Sequence, residues 1–291
     1  MSLRVVSRAA LGLSELSAFA VREADGAREL LCVGDREHDL LAIPLGDGAA
    51  LGEEARLDLR PLVGAPGASG FEGLACDGAG RVLILQEGQC RVLVLAPGRA
   101  RLEGVVELAV ARDQPGFGPE WAEDDNARGE GLLLMQRGHL LVAKQKEPVC
   151  LIEFGPPGDS PLGIAPGSLL GPRDELALAR RRGGTVRYEV LAWWRLSRPS
   201  AKRIESANDL ALDEEDRILL VSSRSRRIAR LAPALDPAAN EAAVEDDWRV
   251  PALRGEGKRR PEALCVVPGA VLVGYDTRAS GDNLVVLEPL G

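Results

Sequence analysis

The sequence is poor in aromatic residues and in histidine. Aromatic residues make up only 3% of the 291 residues, and the formal net charge is −8. Proteins that bind nucleic acids usually stack bases on aromatic rings and present basic surfaces, so this composition disfavours a nucleic-acid partner. Two histidines, His38 and His139, are too few for a zinc site built from histidine.

Long apolar runs are also missing. No stretch approaches 18 consecutive apolar residues, so we expect no transmembrane helix and no membrane partner. Residues 1–6 lack a basic segment followed by a long apolar one, so no secretory signal is visible, although a leader trimmed before residue 1 is compatible with this start. The five cysteines contain no Cys-x-x-Cys motif, a pattern typical of reduced thiols in a cytoplasmic protein.

What the sequence does contain is a repeat. Five segments share one pattern of a short strand, a tight turn, an apolar strand, a polar turn and a third strand; they are residues 15–45, 71–98, 129–155, 207–233 and 261–289. The strands are short and rich in Leu, Val and Ile, and Gly, Asp and Pro separate them, which is typical of β-hairpins. Repeats of this length with several short strands are typical of β-propeller blades.

The gaps between the repeats predict the rest of each blade. Each gap contains one more candidate strand, at residues 56–63, 102–112, 188–197 and 247–253. The last repeat ends with three strands, and residues 3–10 can supply its fourth, which closes the ring and protects a sheet edge. We therefore expect an all-β fold, with a single β-propeller domain of five four-stranded blades over residues 1–291. A sixth, degenerate blade within residues 156–184 is the alternative.

One repeat position is polar or acidic in every repeat. It is occupied, at intervals of 55, 58, 78 and 54 residues, by Ser17, Glu72, Glu130, Asn208 and Glu262. This position starts the strand that lines a propeller's central channel, so the five side chains are expected to converge there. Crowded carboxylates need protons or a cation, and a donor set of oxygens alone favours Ca²⁺ over Zn²⁺ or Cu²⁺. The alternative for each acid is an ordinary salt bridge to arginine.

Basic residues cluster at a second repeat position, the turn after the second strand. In three repeats this turn contains or adjoins Lys144, Lys146, Arg224 and Arg278. If these turns surround the channel mouth, the four cations can hold a small anionic substrate beside the metal. The alternative is a solvated loop surface of mixed charge.

Four short motifs stand within the later repeats: Phe-Glu-Gly-Leu-Ala at 71–75, Arg-Gly-Glu-Gly-Leu at 128–132, Leu-Val-Ala-Lys-Gln-Lys-Glu-Pro at 141–148 and Pro-Glu-Ala-Leu at 261–264. They resemble motifs of the SdiA-regulated family of bacterial proteins, which is distantly similar to NHL-type propellers. The resemblance implies a five-bladed propeller with a calcium site that includes Glu72, Glu130 and Glu262. Gln145, the pair 208–209 and Ala263 depart from the family pattern, and the family implies no established reaction.

Three functions fit these features. The first is a calcium-binding propeller with a recognition or scaffold role, in which the metal ties the blades together. The second is a metal-dependent hydrolase that acts on a lactone or a phosphoester in the channel mouth, with Glu72 or Glu130 as base. The third is a protein-binding propeller without metal, which uses the region of Trp193 and Trp194. In each case we expect a monomer, with a small anionic ligand or a protein as partner.

Overall fold

The protein consists mainly of antiparallel β-sheets. The computed structural model describes residues 3–24, 26–64, 67–126, 128–178, 184–253, 259–277 and 281–290. Strands account for 49% of residues and helices for 7%, which confirms the predicted all-β class. Within the described residues the strands form five successive antiparallel runs of four strands, here called runs 1 to 5.

The runs follow one another along the chain, except that the N-terminal strand, β1 (Val5–Ala9), joins the last run. Run 1 consists of β2 (Leu16–Ala24), β3 (Ala27–Gly34), β4 (Asp39–Leu45) and β5 (Ala55–Asp58). Run 2 consists of β6 (Phe71–Cys76), β7 (Val82–Gln86), β8 (Arg91–Leu95) and β9 (Leu102–Ala109). Run 3 consists of β10 (Gly129–Leu134), β11 (Leu140–Lys144), β12 (Cys150–Gly155) and β13 (Thr185–Leu196).

Runs 4 and 5 complete the molecule. Run 4 consists of β14 (Asp209–Leu212), β15 (Ile218–Ser222), β16 (Arg227–Leu231) and, after the two-residue strand β17 (Glu241–Ala242), β18 (Val244–Arg249). Run 5 consists of β19 (Arg260–Val267), β20 (Ala270–Asp276) and β21 (Leu284–Leu287), and β1 pairs with β21. The helices in the described ranges are α1 (Arg60–Val63), α2 (Gly118–Glu123) and α3 (Arg198–Ala201). None of them is long or apolar enough to cross a bilayer.

The core of the described residues consists of apolar clusters that each lie between two neighbouring runs. Phe71 belongs to the cluster between runs 1 and 2, Phe154 to that between runs 2 and 3, and Trp194 to that between runs 3 and 4. Tyr275 belongs to the cluster between runs 4 and 5, and Phe19 to the one that joins run 5 back to run 1. Because each run packs on both faces, middle strands such as β7 and β15 are buried at every position, which explains their nearly continuous Val, Leu and Ile.

The outer strands of runs 2 and 3 pair with each other. The first residues of β13, from Thr185 to Glu189, pair in parallel with β9, and the rest of β13 pairs with β12. Runs 2 and 3 therefore share one sheet, to which the short strand β17 adds a ninth strand by pairing with the end of β13. The pairing of β9 with β13 covers two outer edges that would otherwise be open. In the described residues 156–178, where the sequence left room for a sixth blade, there are isolated bridges but no strand.

Candidate functional site

The first strands carry β-bulges at the predicted ligand positions. The pairing between first and second strand shifts register at Ser17, Glu72 and Glu262, and at Glu130 together with Gly131. A bulge takes a residue out of the ladder and re-aims its side chain. Here Ser17 and the three glutamates line one cavity of about 180 Å³ at one mouth of the central channel. The structure thus brings four of the five predicted ligand residues together.

A second ring of polar residues lines the same cavity, here called the channel cavity. Asp35, Glu87 and Gln145 directly follow β3, β7 and β11, and Asp276 is the last residue of β20. Because these second strands run antiparallel to the first strands, their ends meet the starts of the first strands at one mouth. Together with Glu15 and Asn126, the described lining contains seven carboxyl groups and no Lys, Arg or aromatic side chain.

Burial raises the pKa of four glutamates that line the channel cavity, Glu72, Glu87, Glu130 and Glu262. Desolvation is the largest cause for each of the four, and it holds the pKa of Glu72 and Glu130 well above the usual range. The pKa of Glu87 is raised to about 7 and that of Glu262 to about 8. Neighbouring carboxyl groups add to the shifts, since a negative charge nearby disfavours ionisation. The cavity therefore takes up protons unless a cation enters it.

Cations at the rim compensate only part of this charge. The Nε atom of Arg36 lies 2.6 Å from Oε2 of Glu15 and forms an ion pair with it. The ammonium of Lys146 donates to the backbone oxygen of Asn126 at 3.0 Å. In contrast, Glu130 has a side chain that is almost completely buried, since the residue is 5% exposed, and no hydrogen bond or ion pair to it is found in the described residues. Glu130 is therefore a buried carboxyl group whose charge is compensated only at a distance, by Lys146.

The predicted anion-binding residues lie outside the described lining of the channel cavity. Lys144 is fully buried, and its ammonium donates to the backbone oxygens of Lys146 and Glu147. Burial lowers the pKa of Lys144. Arg224 is exposed to solvent, and Arg278 lies outside the described residues. Anion binding by these four residues stays a prediction.

Run 4 departs from the other runs at the predicted ligand position. Asn208 is fully buried and does not belong to the described cavity lining. Its Oδ1 atom accepts hydrogen bonds from Ser206 Oγ at 2.8 Å and from the backbone N–H of Ser223 at 2.9 Å. The Nδ2 atom has no partner, and an amide nitrogen is not a ligand for a hard cation, which takes oxygen. The oxygen of Asn208 thus serves to hold the run together.

Sequence reasoning missed Asp209, whose carboxyl group lies inside the channel. Asp209 is fully buried. Its Oδ2 atom accepts hydrogen bonds from the backbone N–H groups of Phe19 (3.3 Å) and Leu264 (2.9 Å), and Oδ1 accepts one from Leu210 (2.8 Å). Burial raises the pKa of Asp209 although these three hydrogen bonds oppose the shift. This carboxyl group links run 4 to runs 1 and 5 across the channel.

A signal for Asp209 exists in the repeat alignment. The residue after the ligand position is glycine in runs 2 and 3, namely Gly73 and Gly131, and aspartate in run 4. A Cβ atom at Gly131 would lie 2.7 Å from the backbone nitrogen of Leu210, and one at Gly73 would lie 2.7 Å from the backbone oxygen of Glu130. Because Gly73 and Gly131 have no side chain, the first strands of runs 2, 3 and 4 approach each other closely. The single carboxyl group of Asp209 can therefore reach across the channel.

The raised pKa values predict how stability depends on pH when divalent cations are chelated. A carboxyl group with a higher pKa in the folded state holds more protons when folded, so the free energy of unfolding falls as the pH rises. For Glu262 this fall lies between its ordinary pKa of 4.5 and its folded pKa of about 8. In EGTA, Glu262→Gln, which imitates the protonated form, should match the wild type near the lower limit and exceed its stability above the upper limit.

Urea titrations at a series of pH values measure this difference. Glu53→Gln, at an exposed loop position, is the matched control and should follow the wild-type profile throughout. Parallel profiles for Glu262→Gln and the wild type would show that Glu262 titrates normally.

Comparison of the sequence with protein-family models and with curated proteins finds no match. Among solved structures, Myxococcus xanthus glutaminyl cyclase is similar over 100% of both chains, with a TM-score of 0.54 and 14% identity. A selenomethionine-substituted virginiamycin B lyase from Staphylococcus aureus is similar over 98% of this chain and 99% of its own, with a TM-score of 0.49 and 8% identity. The glutaminyl cyclase is a β-propeller protein, so this chain has a β-propeller fold; at such identity the likeness extends to the fold alone.

Proposed function

We propose that the protein is a five-bladed β-propeller that binds Ca²⁺ in the channel cavity. In this proposal each run is one blade, because each run packs against two neighbours and run 5 packs against run 1. The observation that carries the calcium site is Glu130. Its carboxyl group is nearly fully buried, lines the cavity and faces the carboxyl groups of Glu72, Glu87 and Glu262. Burying an ionised carboxylate is costly unless a cation compensates it.

The lining favours a metal ion over an organic cation. Proteins that bind organic ammonium ions surround them with aromatic rings, and the described lining contains none. Four first-strand residues form the inner ring of the channel cavity: Ser17, Glu72, Glu130 and Glu262. Their side-chain donor atoms are all oxygens, from three carboxylates and one hydroxyl. Ca²⁺ takes six to eight such oxygens in flexible geometry, whereas Zn²⁺ and Cu²⁺ favour nitrogen and sulfur. The donor chemistry of the cavity therefore fits Ca²⁺.

The spacing of the donors limits how many can bind one ion. Within the described ranges, no three His, Cys, Asp or Glu side chains are close enough together to hold a metal ion between them. We therefore propose that two carboxylates of the inner ring, Glu130 and Glu72, bind the ion directly. The hydroxyl of Ser17 and water would supply further oxygens, as Ca²⁺ sites commonly include water. Glu262 compensates charge from the other side of the cavity.

A thermal melt tests the calcium site. Binding to the native state alone stabilises it by RT ln(1 + [L]/Kd), about 2.7 kcal/mol at 100 times Kd. For a protein of this size this corresponds to a rise of about 4–5 °C in Tm. We expect this rise when millimolar Ca²⁺ replaces EGTA, and a much smaller one with Mg²⁺. Glu130→Gln should abolish the rise, and Glu53→Gln should retain it.

Two results would contradict the proposal. One is an unchanged Tm in Ca²⁺ together with the absence of bound calcium in equilibrium dialysis with a radioactive calcium isotope. The other is a calcium-dependent rise of Tm that Glu130→Gln leaves intact, because the ion would then lie elsewhere.

We propose a recognition or scaffold role for the calcium-loaded propeller, because an ion shared by runs 2 and 3 ties neighbouring runs together. A second candidate, metal-dependent hydrolysis of a lactone or phosphoester, is favoured by one observation. Glu87 lines the cavity and has a pKa raised to about 7, close to the value that suits a general base at neutral pH. Acid release from a lactone or a phosphoester measures this activity. If the wild type releases acid and Glu87→Gln does not, although the variant still binds calcium, the protein is a hydrolase rather than a scaffold.

The wider assignments are part of the same proposal. The motifs around Glu72, Glu130 and Glu262 support membership of the SdiA-regulated family. The five cysteines are free, and three of them, Cys32, Cys150 and Cys265, are buried, which supports a cytoplasmic location. We propose a monomer that forms a single domain and recognises a small anionic ligand or a protein, with the exposed Arg224 as a contact for the anion.

A further inference from the structure

A segment of chain lies at the mouth of the channel opposite the channel cavity. Residues 162–176, here called the channel strap, lie between β12 and β13, on the side where the first strands end. Ile164 and Leu235 exchange two backbone hydrogen bonds of 3.1 and 2.8 Å, which join the strap to the region of run 4. The backbone N–H of Gly78 donates to the oxygen of Asp174 at 2.8 Å, which joins the strap to run 2. The strap thus passes along run 3, from the region of run 4 to run 2, at one side of this mouth.

The strap covers apolar surface. Leu170 and Pro172 of the strap, together with the ends of the first strands, line a second cavity of about 130 Å³. Val21, Leu133 and Leu212 are among the strand residues that line it. The position of the strap therefore sets the access to the channel from this side.

His139 lies next to the start of the strap and contacts two carboxylates at once. Its side chain is fully buried, with Nδ1 at 2.7 Å from Oε1 of Glu153 and Nε2 at 3.1 Å from Oδ2 of Asp159. A neutral imidazole has a single N–H, so one ring nitrogen would meet a carboxylate oxygen without a proton between them. With both carboxyl groups ionised, the arrangement therefore requires the imidazolium form. A Cβ atom at Gly155 would lie 2.9 Å from the ring, so close packing holds His139 in place.

Glu153 connects this histidine to the strap. The backbone N–H of Leu162 donates to Oε1 of Glu153 at 2.7 Å, and that of Gly163 donates to Oε2 at 3.0 Å. The same carboxylate is fully buried and contacts His139. A change in the charge of His139 therefore acts on the two residues with which the strap begins.

We propose that His139 is a pH-dependent latch, which as imidazolium holds the channel strap in place and on deprotonation releases it, so that the apolar mouth of the channel opens. Asp159 is the weaker of the two contacts, because its side chain is 36% exposed whereas that of Glu153 is fully buried. Loss of the proton therefore frees residues 156–161 first, and the start of the strap follows.

The charges around His139 determine the direction of the effect. Burial alone would lower the pKa of His139, but the hydrogen bonds to Glu153 and Asp159 outweigh it and raise the pKa. Arg137, whose Nη2 lies 3.9 Å from Asp159, and Glu189, which accepts from the N–H of Gly158, are the other charged groups at this segment. The latch is therefore fully formed below the ordinary histidine pKa. It is lost as the pH rises through the raised pKa of His139 in the folded protein.

Histidine NMR combined with hydrogen exchange tests the latch in the full-length protein. The chain has two histidines, so ¹⁵N-histidine labelling yields two ring signals, and His38→Gln assigns them. We expect His139 to titrate above pH 6.5, and the hydrogen-exchange protection of residues 162–176, corrected for intrinsic rates, to fall over the same pH range. By linkage, the protection of the strap should fall about tenfold for each pH unit by which the titration midpoint of His139 in the latched protein exceeds its midpoint when the strap is open.

Asp159→Asn keeps the shape of the segment and removes one of the two charges. It should lower the midpoint of His139 and reduce the protection of the strap at low pH, whereas Asp113→Asn, at an exposed position, should change neither. The proposal is overturned if His139 titrates at or below pH 6.5. It is equally overturned if the strap keeps the same protection on both sides of the His139 titration.

Discussion

Replacing Arg81 with methionine is expected to lower the free energy of unfolding in urea by about 3–5 kcal/mol, since removal of one partner leaves a buried charge uncompensated. The side chain of Asp77 is fully buried and that of Arg81 is 6% exposed. The Nε atom of Arg81 donates to Oδ2 of Asp77 at 2.8 Å, and Nη2 donates to the backbone oxygen of Leu176 at 2.5 Å. The substitution therefore also removes one of the hydrogen bonds that hold the end of the channel strap to run 2.

Run 4 contains a matched control for this prediction. Arg217 follows Asp213 at the same spacing, and its backbone N–H donates to the aspartate Oδ1 at 2.9 Å, as the N–H of Arg81 does to Asp77. The guanidinium of Arg217, however, pairs with Glu245, whose side chain is 44% exposed, and donates to the backbone oxygen of Leu231 at 2.9 Å. Arg217→Met should therefore cost less than Arg81→Met, about 1–2 kcal/mol. Equal costs for the two substitutions would show that burial does not decide the strength of these pairs.

Replacing Asp209 with alanine is expected to cost about 2–6 kcal/mol in the free energy of unfolding. The substitution leaves the N–H groups of Phe19 and Leu264 buried without an acceptor, and each such group costs about 1–3 kcal/mol. Both belong to other runs, so the change also removes the link across the channel. Urea denaturation of the wild type and the variant measures the difference.

Asp209→Asn separates hydrogen bonding from charge. Asparagine has the same shape, and its Oδ1 atom can accept both N–H groups from the neighbouring runs, while its Nδ2 atom takes the place of the oxygen that accepts from Leu210 within run 4. Since burial raises the pKa of Asp209, the loss of a negative charge is no disadvantage at this position. We expect Asp209→Asn to retain most of the stability that Asp209→Ala loses; an equal loss in both variants would mean that the charge itself is required.

The repeat identified the position of the channel glutamates because it is a property of local sequence. Short apolar strands separated by turn residues recur with Glu72, Glu130 and Glu262 at the same place, and a bulge occurs at each of these residues in the structure. Equivalent positions in equivalent hairpins point in equivalent directions, so alignment alone places their side chains at one mouth. The same reasoning places Asp35 and Glu87, which belong to the second ring of polar residues, at the same mouth.

The basic residues and run 4 show where alignment is insufficient. Lys144 has the right position in the repeat, but its ammonium binds the backbone oxygens of its own turn, and Asn208 directs its oxygen to Ser206 and Ser223. A lysine or an asparagine has several possible partners within reach, and which one it takes depends on the turn that the neighbouring residues form. Repeat position does not contain that information.

The order of the strands within each run, the all-β class and the ring of channel carboxyl groups thus follow from local patterns, because short apolar strands, turn residues and repeat position each concern neighbours along the chain. The link from Asp209 to Phe19 and Leu264, the hydrogen bond from Arg81 to Leu176 of the strap, and the contacts of His139 depend on segments that only folding brings together. Their partners are separated by up to 190 residues, or meet across turns whose course the sequence pattern does not specify. Tertiary packing alone decides which buried donor faces which acceptor, since each must find a partner once water is excluded.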